Sequence, residues 1–142
     1  MFVQPGAKQG SGTILITGAV GDFGTTHGFQ VHGKTYSEAT LQRGQIEFNL
    51  TTISNKVNKA SPKIDAATCS GSISVSAPVP IVGGTGLYAG ISGTATITES
   101  FGFIGPRYKT GSNKGQCNMS NSASAQPIAE MASVHGVGTV SF

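Results

Sequence analysis

From Ser92 to Phe103 the chain alternates. Ala95, Ile97, Glu99, Phe101 and Phe103 fall on one side, and Thr94, Thr96 and Thr98 on the other. A period of two marks a half-buried strand, because successive side chains of extended backbone point to opposite faces. The same period runs through Gln45–Ile53, where Ile46, Phe48 and Leu50 alternate with Gln45, Glu47 and Asn49. It returns at Cys69–Ala77, with Ile73 and Val75 set against Ser72, Ser74 and Ser76. The apolar residues suit this backbone: Ile and Val together number 21 against 4 Leu, and a branched Cβ packs well on a pleated surface.

Weaker stretches of the same kind occur at Gly12–Val20, Phe23–His32, Lys34–Gln42, Gln116–Ala125 and Val134–Phe142. Eight short strands at near-regular spacing predict an all-β domain. The expected form is an eight-stranded antiparallel β-barrel, calycin-like, with a β-sandwich as the alternative. The last strand reaches Phe142 with no tail, which favours the barrel. Pro78 and Pro80 cannot donate to a ladder, so they predict an edge, a bulge or a local opening. Short helices are expected only at Tyr36–Arg43 and Ile128–Ala132, and Ser54–Asp65 reads as a basic polar loop.

At 142 residues the chain is the size of a single domain: a polar lead-in over 1–10, then one domain over 11–142. Only 11% of residues are charged, and Gly, Ser and Thr supply the polarity instead. The net charge of +3 comes largely from Lys56, Lys59 and Lys63 and from Arg107, Lys109 and Lys114. A nucleic-acid surface interleaves bases with stacking aromatics, and only Tyr108 stands among these, so solvated loops are expected and no nucleic-acid partner. No apolar run approaches the ~18 residues of a membrane helix. Met1–Pro5 lacks the basic and apolar regions of a signal peptide. Low charge and two cysteines nevertheless suit a secreted, periplasmic or cell-surface domain, with Met1 an added start on a mature chain.

Cys69 and Cys117 lie in Ser/Gly-rich polar settings. A disulfide between them is the expectation, contributing roughly 4 kcal/mol on the loop-entropy picture. Two free thiols or a metal pair are the alternatives, and no further Cys or His stands at ligand spacing. No metal or cofactor is expected.

Two motifs imitate nucleotide sites. Gly28-Phe29-Gln30-Val31-His32-Gly33-Lys34-Thr35 spells the phosphate-loop pattern, but its variable positions alternate like a strand and no full helix follows. Gly84, Gly86 and Ala89 spell the dinucleotide fingerprint, but alternating Thr94–Thr98 follows where a helix is required. No serine-nucleophile elbow occurs, and His27, His32 and His135 lack zinc-protease spacing.

Glu99 is the residue out of place. Alternation sets it on the apolar side of its strand, where an ionised carboxylate is costly unless paired. It is the candidate acid, base or hydrogen-bond anchor; a buried structural pair or a bulge is the alternative. Phe48, Phe101 and Phe103 are the candidate lining, joined by Tyr88 and by His27, which shares a face with Phe29 and Val31. Asp22, in Gly21-Asp22-Phe23-Gly24, reads as a turn carboxylate.

The stretch Ile81-Val82-Gly83-Gly84-Thr85-Gly86-Leu87-Tyr88-Ala89-Gly90-Ile91-Ser92-Gly93-Thr94-Ala95 resembles a Gly-rich turn of the allene oxide cyclase and dirigent barrel superfamily, and Gly136–Phe142 resembles the closing strand of small exported bacterial barrels. The resemblance implies an eight-stranded barrel with a central apolar cavity, in dimers or trimers. Its members include cyclases that fold a reactive lipid and proteins that steer phenoxy-radical coupling. The matching residues form a turn, so no catalytic residue carries over. Three functions follow as expectations. The first is an exported barrel binding a small apolar molecule, with Glu99 as the anchor. The second is a cofactor-free cyclase or isomerase using Glu99. The third is a structural surface protein with a packed lumen.

Overall fold

The computed structural model describes residues 2–3, 11–120 and 125–142. The strands are β1 (Phe2–Val3), β2 (Ser11–Ile16), β3 (Asp22–Val31), β4 (Lys34–Leu41), β5 (Gly44–Asn49), β6 (Lys63–Asp65), β7 (Ser70–Gly86), β8 (Ser92–Ile104) and β9 (Ala129–Ser141). One α-helix, α1 (Thr51–Lys59), joins β5 to β6. The chain is all-β in character, and every pairing between strands is antiparallel. The sheet order is β5-β4-β3-β2-β1-β9-β8-β7-β6, and the sheet curls so far that β5 also meets β7. The expected lead-in over 1–10 lies outside the described residues except for β1, as do residues 121–124 of the expected strand at Gln116–Ala125. The described part of that stretch contributes a single bridge, Arg107 to Cys117.

The alternation does what it predicts. Ile46 is buried and Phe48 half-buried on the concave side, while β8 pairs with β7 over Ser70–Ile81. The phosphate-loop look-alike is a hairpin: β3 turns into β4 at His32 and Gly33, both at positive φ (48° and 75°), the backbone of a two-residue primed turn.

β7 passes through Pro78 and Pro80 without a break, and they pair across from Thr96 and Thr94. The Ser76 carbonyl accepts a hydrogen bond from Lys56 of α1 (2.8 Å), so it points away from β8. In an antiparallel strand the amide and carbonyl of one residue share a side, and residues two apart repeat it. The nitrogens of Pro78 and Pro80 therefore face the same unpaired edge. β6 pairs with Ser70–Ser72 and β5 with Ile81–Gly86, so no strand needs a donor in between.

Helix α1 covers that edge and is the main departure from expectation, which had a strand end and a loop here. Ile53 and Val57 stand four apart and form an apolar stripe, with Ile53 buried. The Thr51 amide donates to the Asn49 side chain (3.1 Å) at the start, and Lys56 and Lys59 sit favourably in the last turn. The expected helices Tyr36–Arg43 and Ile128–Ala132 are instead mostly strand, within β4 and at the start of β9. Cross-strand pairing outweighs local propensity at both.

At the end of the sheet where β2 turns into β3, Val20, Ala39, Leu41, Ile46, Tyr88 and Ile91 form a dense core. Gly44 is required there: its φ is +151°, and a Cβ would collide with the Thr85 carbonyl. At the opposite end Cys69 and Cys117 form the expected disulfide, 48 residues apart, with Cα atoms at 5.3 Å.

Candidate functional site

Between the packed end and α1 the concave face holds a partly open cavity of about 620 Å³. Its wall is mostly apolar, with Ile14 and Ile16 of β2, Ile46 and Phe48 of β5 and Ala95 and Ile97 of β8, and it includes polar Thr26, Ser37 and Thr139. On β9, Gly136 and Gly138 lie against β8, where a Cβ would press on Ile97 or on the backbone of Thr94 and Ala95. Ile53 and Val57 of α1 close one side.

Glu99 enters this lumen from β8, two residues beyond Ile97. Burial alone pushes its carboxyl above the ordinary value. Among the described residues the one ion pair is Arg43 with Asp22 (3.4 Å), so no cation is paired with Glu99. A protonated Glu99 donates one hydrogen bond; ionised, it accepts. It can therefore orient a ligand or exchange a proton with one.

The other expected residues separate. Phe48 lines the lumen. Phe101 and Phe103 continue the Glu99 face but lie beyond the lumen wall, with ring centroids 5.9 Å apart. Phe101 sits in a shallow cleft with Ile73 and Lys63, and Phe103 packs over Gly71 beside Ile64. His27 is exposed on the convex side, 5.7 Å from the ring of Phe29, which stacks on Tyr36. Its neighbours Thr26 and Gly28 line the lumen instead. The apolar members of that strand, Phe29 and Val31, share the outer face with His27, so polarity pointed the wrong way. Tyr88 is 1% exposed and its hydroxyl donates to Asp22 (2.5 Å), so it serves the core.

Asp22 has the opposite surroundings to Glu99. The Tyr88 hydroxyl, the amides of Phe23, Gln42 and Arg43, and the Arg43 guanidinium all donate to its carboxylate. Led by the Tyr88 bond and offset by burial, these donors hold its pKa at about 2. Arg43 also donates to the Val20 and Gly21 carbonyls (2.5 and 2.9 Å), so one carboxylate fastens three turns together. The expected turn role of Asp22 is what the geometry provides.

Sequence reasoning missed Ile53 and Val57 as lining. Their spacing of four was the available signal, hidden in a segment rich in Asn and Lys. Among the described residues, no group of three or more His, Cys, Asp or Glu could hold a metal ion. Compared with known proteins, the chain matches no family model, no curated relative and no solved structure.

Proposed function

We propose that this chain is a small exported barrel whose lumen holds an apolar molecule, with Glu99 as the single charged anchor. The observation that carries this reading is the cavity itself: about 620 Å³, walled mostly by aliphatic side chains and Phe48, with some Ser and Thr and one carboxylate. Binding sites for small molecules have this form, mostly apolar with a few placed polar groups. A merely structural lumen would be filled by side chains, as small barrels generally are. The pairing of β5 with β7, and of β1 with both β2 and β9, supports counting eight strands around the lumen. The Cys69–Cys117 bridge is consistent with an oxidising compartment outside the cytoplasm.

The test is native mass spectrometry of protein taken from its host's medium, followed by solvent extraction. A stoichiometric small apolar molecule on the folded chain is the expected result, and the same spectrum reads the oligomeric state. A bare mass, together with no uptake of any apolar probe, would leave the packed structural reading standing.

A second reading is favoured by one observation: a carboxylate, Glu99, stands in the cavity wall with no paired cation among the described residues. A cofactor-free cyclase or isomerase would use such a group to move a proton while the wall folds the substrate. Glu99→Gln keeps the shape and removes the titration. Lost turnover with binding retained supports the enzyme, whereas unchanged turnover removes Glu99 as its catalyst.

A further inference from the structure

The charge in the lumen has one sign. Among the described residues that line it there is no Lys, Arg or His, and Glu99 is the one acidic side chain. The elements packed beside Glu99 bring no cation to it. β7 sets Val75 opposite it and carries no charged residue over Ser70–Gly86. β9 sets Val134 opposite it; Glu130 stands four residues away on the same face, and His135 falls on the other. On α1 the Lys56 ammonium is held at the β7 edge by the Ser76 carbonyl (2.8 Å), and Lys59 is exposed. Tyr36, the other titratable residue of the lining, has its ring stacked on Phe29 at the convex side.

Glu99 also stands at one end. β8 begins beside Ile91 of the packed core, and Ala95, Ile97 and Glu99 lie successively farther from it. Four residues of strand separate Ala95 from Glu99, about 13 Å. The charge is therefore remote from the core, with Ile97, Ile14 and Ile16 on the way toward it. Glu99 is half-buried, so the fold has already taken part of its water. Adding a partner of opposite charge then costs less desolvation than pairing two fully solvated ions. The bond formed is charge-assisted, about twice as strong as a neutral one. A second anion would be repelled instead.

We propose that the ligand of this lumen is an aliphatic amine: its ammonium donates to the Glu99 carboxylate, and its chain lies along Ile97 and Ala95 toward the packed end. The inference rests on the reading of the lumen as a ligand site and names the class of ligand. It selects amines over fatty acids of the same length, because a carboxylate head would meet Glu99 and find no cation among the lining residues described. It also selects them over alcohols, whose hydroxyl offers Glu99 only a neutral donor. The whole chain carries a net charge of +3, which by itself would draw anions. A preference for amines must therefore come from the site and not from the overall charge.

The probes are octylamine, 1-octanol and octanoate, which share a chain and differ in head charge, titrated calorimetrically at about pH 8, where an alkyl amine is still protonated. The expected order is octylamine tightest by at least about tenfold, then octanol, then octanoate. Glu99→Gln should bring octylamine down to the level of octanol and leave octanol unchanged. The preference should shrink at about pH 4, below the ordinary 4.5 of a glutamate whose value burial raises further. Equal binding of octylamine and octanol, octanoate as the tightest, or a preference that survives Glu99→Gln would each overturn the proposal while leaving an apolar ligand site standing. Binding of none of the three would remove the site itself. A Glu99→Gln chain that melts well below the parent without ligand would show that the protein supplies its own partner to Glu99, and would overturn the proposal as well.

Discussion

At the turn end of the sheet, five hydrogen-bond donors from β3, the β4–β5 turn and the β7–β8 turn converge on Asp22, and Tyr88, Leu41 and Ile91 belong to the buried core beside them. In the lumen, Glu99 faces aliphatic groups and bare glycine backbone, with burial pushing its carboxyl up. Both carboxylates have been drawn from water. One is surrounded by donors and holds the fold together. The other has no paired cation among the described residues.

The comparison breaks first at the level of packing. Ile91→Ala, at the sealed end, should cost roughly 2–5 kcal/mol, because its neighbours cannot collapse into the space. Ile14→Ala, in the lumen wall, should cost less than about 1.5 kcal/mol, since it enlarges a cavity already there. Denaturant titration of both variants measures the difference, and equal costs would mean that the lumen is packed like the core.

Removing each carboxylate sharpens the contrast, because the signs should differ. Asp22→Ala strands the Tyr88 hydroxyl and the turn amides and should lower the melting temperature by several degrees. Glu99→Leu removes a poorly solvated carboxyl and should raise stability by on the order of 1 kcal/mol. A loss on Glu99→Leu would show that the side chain has a structural partner.

The smallest effect is in the pH profile. Asp22 titrates at about 2 in the fold against 3.8 unfolded, so its contribution is complete above 3.8 and disappears as pH falls toward 2. Glu99 is raised from 4.5, so its protonated form favours the fold below 4.5, and that stability is lost as pH rises through the folded value. Melting temperature should therefore peak near pH 4 to 4.5. Glu99→Gln should flatten the alkaline side of the peak, and Asp22→Asn most of the acid side. Asp65, lowered by the Ala67 amide, keeps a smaller acid limb.

Much of the fold was legible because period-two alternation is a direct readout of extended backbone, and Ile46, Phe48, Ile97 and Glu99 all face where it put them. What alternation cannot say is which of two faces is concave when both carry apolar groups. His27 shares Phe29 and Val31 on one face, yet the cavity takes the plainer Thr26 and Gly28. α1 was hidden because its apolar stripe is two residues wide and sits among Asn and Lys, and its stability comes from covering the β7 edge and not from propensity. Tyr88 belonged to a Gly-rich turn by sequence, and its burial follows from a hydrogen bond to Asp22 across 66 residues, which no local pattern contains.

The most direct test of a ligand-holding lumen is titration with a neutral apolar fluorophore, N-phenyl-1-naphthylamine, against the folded chain and against Ala95→Phe, which places a ring in the cavity. The account predicts one saturable site on the parent chain and none on the variant, with both equally folded by circular dichroism. Equal uptake by the two, or no uptake by the parent, would contradict it.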